Sequence, residues 1–98
     1  MSLMHFLYSP AELAQEVGKN AQQMRLSKNM SRKTLAALSG VSESSIKRFE
    51  STGAITLESM ILLATALDEL SPFMTLFKAT EPRSTEELKN RHRQRGTK

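Results

Sequence analysis

Apolar positions in this chain recur at helical spacing. Leu13, Val17, Ala21 and Met24 follow one another at steps of four, four and three, which is one stripe of an amphipathic helix. Ser9, Pro10 and Glu12 stand just ahead of them. Ser9 suits an N-cap, Pro10 the first helical position, and Glu12 completes a capping box. The pattern predicts a first helix over residues 10–26, broken at Ser27-Lys28-Asn29. Ser31 is the next N-cap. A short second helix over 32–39 places Leu35, Ala36 and Leu38 on an apolar face. Gly40 then stands where a left-handed residue ends a helix. Ser42 caps a third helix over 43–51 whose buried side is Ile46 and Phe49. Thr56 caps a fourth, to about Leu67, with Leu57, Met60, Ile61, Ala64 and Leu67 in phase. Ser71-Pro72 repeats the cap-then-proline signature, and Phe73, Leu76 and Phe77 are expected to face inward from a short fifth helix. A strand over 73–79 is the alternative, because a short apolar run has no decisive period; helix is favoured.

Beyond residue 79 apolar residues nearly vanish, and Leu88 is the last large one. The expected organisation is one domain over residues 9–78, then a linker and basic tail over 79–98. Residues 90–98 have nothing to bury and are expected to be disordered without a partner. Met1-Ser2-Leu3 reads as an expression scar. His5 to Tyr8 is too short for the apolar core of a signal peptide. The longest apolar run, residues 60–64, is far short of a membrane span.

Charge changes the picture, because it is unevenly placed. The 98-residue chain carries a formal +4. Residues 25–48 hold Arg25, Lys28, Arg32, Lys33, Lys47 and Arg48 against Glu43 alone. Residues 49–77 hold Glu50, Glu58, Asp68 and Glu69 and no base. Lys89, Arg91, Arg93, Arg95 and Lys98 form a second basic zone. Two separate basic zones suggest a polyanionic partner, most often nucleic acid. A basic solvated surface is the plainer reading, and charge alone leaves both open. Cysteine is absent, so there is no disulfide, thiolate nucleophile or Cys-based zinc site. His5 and His92 stand near opposite ends and lack the further ligands a metal needs. No G-x-S-x-G motif is present, and the serines are explained as caps and turn residues. Neither cofactor nor metal is expected, and no enzyme reading finds a constellation to support it.

Residues 32–49 carry a spacing with geometric meaning. Leu35, Ile46 and Phe49 pack two helices onto the rest of the domain. Ala36 is small where those helices cross. Gly40 permits the positive φ of the turn, Val41 plugs it, and Ser42 caps the second helix. Two helices so joined leave the second free on one side to enter a major groove. In Arg25, Met30-Ser31, Leu35-Ala36, Gly40-Val41-Ser42, Ile46, Glu50 and Leu67 the chain resembles the phage-repressor family of helix-turn-helix regulators, the XRE or Cro/C1-type, over residues 21–67. That resemblance implies an all-α, lambda-repressor-like bundle of about five helices with a flexible basic C-terminal tail. It further implies a cytoplasmic, nucleoid-associated regulator of transcription. A dimeric repressor would read a palindromic operator in double-stranded DNA through the helix at 43–51.

The same resemblance distributes roles. Glu43, Ser44, Ser45, Lys47 and Arg48 lie on the exposed start of the recognition helix, with Arg48 suited to a bidentate pair with guanine. A merely solvated helix face is the plain alternative. Ser31, Arg32, Lys33 and Ser42 suit phosphate anchoring at helix N-termini, and Lys28 either helps or only solubilises its loop. Arg25 and Glu50 are expected to form a structural ion pair; a phosphate contact by Arg25 is the alternative. Leu70, Phe73, Met74, Leu76 and Phe77 are the expected homodimer interface, or else they only close the monomer core. The chain departs from the family at Arg32, where many members have Gln, and at Glu43, where Gln or Arg is usual. Ser51-Thr52-Gly53 also carries one extra residue before the loop glycine.

A narrower resemblance rests on Tyr8-Ser9-Pro10, Met74-Thr75-Leu76, residues 67–77, 82–88 and 91–95. It is to HipB-like antitoxins, and it implies a HipA-like kinase toxin as partner, with autoregulation of the operon. A strand at 73–79 would fit that group's dimer.

Overall fold

The protein, as a computed structural model, is described over residues 8–80. The readings placed on His5, on the linker from residue 81, on His92 and on the basic tail at 89–98 lie outside the described residues. Helix α1 is Pro10–Ser27, α2 Arg32–Ser39, α3 Glu43–Thr52 and α4 Leu57–Ala66, and a 3-10 helix follows at Ser71–Thr75. No strand occurs among the described residues.

Each α-helix begins on a side-chain cap. The Ser9 hydroxyl accepts from the Glu12 N–H at 3.1 Å, and the Ser9 N–H donates to Glu12 Oε1 at 2.9 Å. Ser31, Ser42 and Thr56 accept in the same way from Thr34, Ser45 and Ser59. Helix α2 stops at Gly40, where φ is +81°, a conformation that costs glycine nothing.

The core is small. Leu35, Val41, Ile46, Phe49, Leu63 and Leu67 form it, with Ala21, Met24, Met30, Ala36, Ile55 and Met60 packed around. Burying each large side chain is worth about 1.5–3 kcal/mol. Helix α3 lies across α1 at two glycines. A Cβ on Gly18 would strike the Phe49 carbonyl oxygen, and one on Gly53 would strike the Ala14 carbonyl group. The backbones therefore approach more closely than any larger residue permits.

Four expectations from periodicity need correction. Leu13 is 52% exposed and Val17 is also exposed. Helix α1 is about 27 Å long at 1.5 Å per residue, and the core covers only the later half of its stripe. Leu38 is exposed, because Ser39 and not Leu38 turns inward beside Leu35. In α4, Leu57 is exposed and Leu63 takes the buried place. The fifth element is a short helix, as favoured, but a 3-10 helix whose N-cap is Leu70 with no side-chain bond, so Ser71 does not cap it. Asp68 takes a φ of +60° just ahead of it, and Phe77 one of +59° just after. These left-handed residues redirect the chain, so Leu76 and Phe77 point outward and Phe77 is fully exposed.

Candidate nucleic-acid interface

Helix α3 divides cleanly. Ile46, Phe49 and Glu50 are buried. Glu43, Ser44, Ser45, Lys47 and Arg48 are all exposed. Val41 is buried in the turn and fixes α3 against α2. The exposed side is thus presented by a helix whose other side is locked in the core.

The start of α3 is a cluster of hydroxyls. Ser42 Oγ accepts from the Ser45 N–H at 3.2 Å, donates to Ser45 Oγ at 2.9 Å, and lies 3.2 Å from Ser44 Oγ. These serines order one another before any ligand arrives. Arg48 stands a turn beyond Ser44, and Ser45, Arg48, Ala54, Ile55, Thr56 and Ser59 line a shallow recess between α3 and the start of α4.

The corner between α1 and α2 supplies a second group of bases. Lys28 and Lys33 are exposed and Arg32 is half-buried. No acidic residue lies in the first turn of α2. Ser31 Oγ accepts from the Thr34 N–H and donates to Thr34 Oγ1, both at 3.0 Å.

Between these groups lies the ion pair. Arg25 Nε donates to Glu50 Oε2 at 2.8 Å, Nη2 to Glu50 Oε1 at 3.1 Å, and Nη1 to the Met30 carbonyl at 2.7 Å. Arg25 is 5% exposed and Glu50 7%. Every edge of that guanidinium is engaged, which leaves Arg25 no surface for a phosphate. Glu50 Oε1 accepts a further bond at 2.9 Å, from Arg32 Nε. Sequence reasoning treated Arg32 only as an anchor and did not foresee this tie. Gly18 was missed as well, and its one signal was a glycine inside a long helix, where it costs about 1 kcal/mol against alanine.

The expected dimer residues do not share one environment. Leu70 and Phe73 are half-buried, while Met74, Leu76 and Phe77 are exposed. Phe73 closes one end of an apolar groove between α1 and α4 that also includes Val17, Met24, Met60 and Leu67. Among the described residues no His, Asp and Glu side chains are grouped to hold a metal ion. No described helix is long and apolar enough to cross a membrane.

A family model described as helix-turn-helix matches residues 22–73. No curated protein matches the chain.

Proposed function

The chain belongs to the XRE (Cro/C1-type) helix-turn-helix family of DNA-binding regulators, and from that premise we propose that it is a homodimeric repressor reading a palindromic operator through α3. The observation that carries this reading is the division of α3. One side is fixed by Ile46, Phe49 and Glu50, and the other presents Glu43, Ser44, Ser45, Lys47 and Arg48 to solvent. Arg48 is the guanine reader, with Ser44 beside the same base step. Glu43 is repelled by phosphate and can accept from the amino group of cytosine, so it mainly excludes wrong sequences. Lys28, Ser31, Arg32, Lys33 and Ser42 hold the phosphates on either side. Leu70, Phe73, Met74, Leu76 and Phe77 join two copies, which suits half-sites about 34–36 Å apart.

Selection of bound sequences from random duplex DNA tests this directly. The expected product is a palindrome with two short conserved half-sites about one helical turn apart. Recovery of no consensus, or of a single unpaired half-site, overturns the dimeric repressor. The antitoxin reading ranks second. Residues 73–79, where a strand would suit a HipB-like dimer, are the end of the 3-10 helix and a turn, but Met74, Leu76 and Phe77 remain exposed for a protein partner. A HipA-like kinase gene adjacent to this one, whose product co-purifies with the chain, would promote it.

A further inference from the structure

One buried carboxylate serves two arginines, and only one of them is structural. Glu50 Oε2 accepts from Arg25 alone, while Oε1 accepts from both Arg25 and Arg32. The Glu50 side chain is 2% exposed and that of Arg32 34%. Two guanidinium groups against one carboxylate leave the cluster a net positive charge, and Arg32 is the member that reaches solvent. Nε is the only Arg32 donor with a protein partner among the described residues. The two Nη groups therefore keep their donors available while Nε is held by Glu50.

We propose that Glu50 is a positioning residue for Arg32, setting its two Nη groups to grip a DNA backbone phosphate as a fork. A guanidinium is planar and rigid, so holding Nε narrows the directions in which the fork can point. Paired N–H donors match the oxygens of a phosphate. Pre-orientation also spares the ordering of a long side chain on binding. The inference rests on the reading of Arg32 as a phosphate anchor and adds what aims it. It also ties that anchor to α3, since Glu50 belongs to the helix that presents Arg48.

The test uses the full chain and a scrambled duplex of about 30 base pairs, or three helical turns. Affinity is measured over a range of salt for the parent, Arg32→Ala, Glu50→Gln and the double variant. Arg32→Ala is expected to weaken binding and reduce the slope of log affinity against log salt by about one unit. Glu50→Gln is expected to weaken binding about three- to tenfold when Arg32 is present and less than about twofold when it is Ala, which is the coupling expected of residues acting through one another. Equal losses in both backgrounds make Glu50 merely structural and overturn the inference while leaving the anchor standing. An Arg32→Ala variant with unchanged affinity and slope overturns the anchor itself, and the inference with it. Glu50→Gln also removes the carboxylate charge and one of the two Glu50 acceptors that hold Arg25, and can unfold the chain. The parent protein then gives the answer by NMR of arginine side chains. A slowly exchanging Arg32 Nε–H, kept when duplex is added, is the expected result. An Nε–H that exchanges like a free side chain overturns the inference.

Discussion

Arg48 and Glu43 are both exposed on α3, five residues apart and not above one another, and are asked to do different things. Arg48→Ala is expected to lose the advantage of the selected operator over scrambled duplex while keeping most affinity for the latter. A good base contact carries about 1–3 kcal/mol of discrimination. Equal losses on both duplexes at matched salt would make Arg48 a phosphate contact. Glu43→Gln removes a charge repelled by phosphate. It is expected to raise affinity for scrambled duplex and relax the preference at one base pair. Far from that surface, Glu12 gives the chain a titration with a defined sign. Hydrogen bonds from the Ser9 N–H and hydroxyl hold its carboxyl below the usual carboxylate range. Such a group stabilises the fold above its unfolded value and loses that contribution as pH falls through the depressed one. The melting temperatures of the parent and Glu12→Gln are therefore expected to differ at neutral pH and to converge in acid. A difference that persists in strong acid would place the effect elsewhere.

Helix α1 and helix α3 meet through Gly18, and this contact reverses a simple expectation. Alanine is the better helix former by about 1 kcal/mol. Gly18→Ala would nevertheless drive a methyl into the Phe49 carbonyl. The variant is expected to lose about 1–3 kcal/mol, as overpacked cores do, measured by denaturant unfolding; a stabilised variant would show that the helices can separate. The same contact shows what the sequence makes legible. Helix starts are local, and Ser9, Ser31, Ser42 and Thr56 announced them through short-range bonding. Gly40 announced the turn because few other residues take its φ. What a helix packs against is not local. The stripe Leu13–Val17–Ala21–Met24 gives α1 a face but not how far the core extends along it. Leu38 and Leu57 occupy plausible phases and still face water. A short helix at Ser71-Pro72 was legible, but not its 3-10 form, because five residues of mixed polarity carry no decisive period. At the interface, the candidate residues follow from the motif. The Arg32–Glu50 tie depends on a distance across the corner of the domain, which no spacing expresses.

Across the whole molecule, basic and acidic residues are segregated. The α1–α2 corner and α3 carry an excess of bases, while residues 49–77 contribute Glu50, Glu58, Asp68 and Glu69 and no base. The bases at 25–48 lie on the elements proposed to meet a duplex, and the proposed interface with another copy is a separate segment, residues 70–77. Phe77 and Leu76 are exposed there, so replacing them should scarcely disturb the monomer. The double change Leu76→Asp and Phe77→Asp is expected to yield a folded monomer by sedimentation, with the melting temperature lowered only by the lost self-association. Operator binding would weaken because the half-sites are no longer bound together. A variant that still sediments as a dimer would move the interface elsewhere.

The small core of the described residues bears on how long the protein is expected to last as well as on its shape. A domain with so little buried apolar surface is marginally stable alone. A ligand that binds only the folded state adds about 2.7 kcal/mol when present at a hundred times its dissociation constant. Copies seated on DNA are then spared the local opening that proteases exploit, while unbound copies are not. Limited proteolysis with and without operator duplex would read this as a difference in cleavage rate, and equal rates would contradict it. Occupied sites would in that way retain their regulator while surplus molecules are cleared, so turnover would follow the number of sites the cell contains.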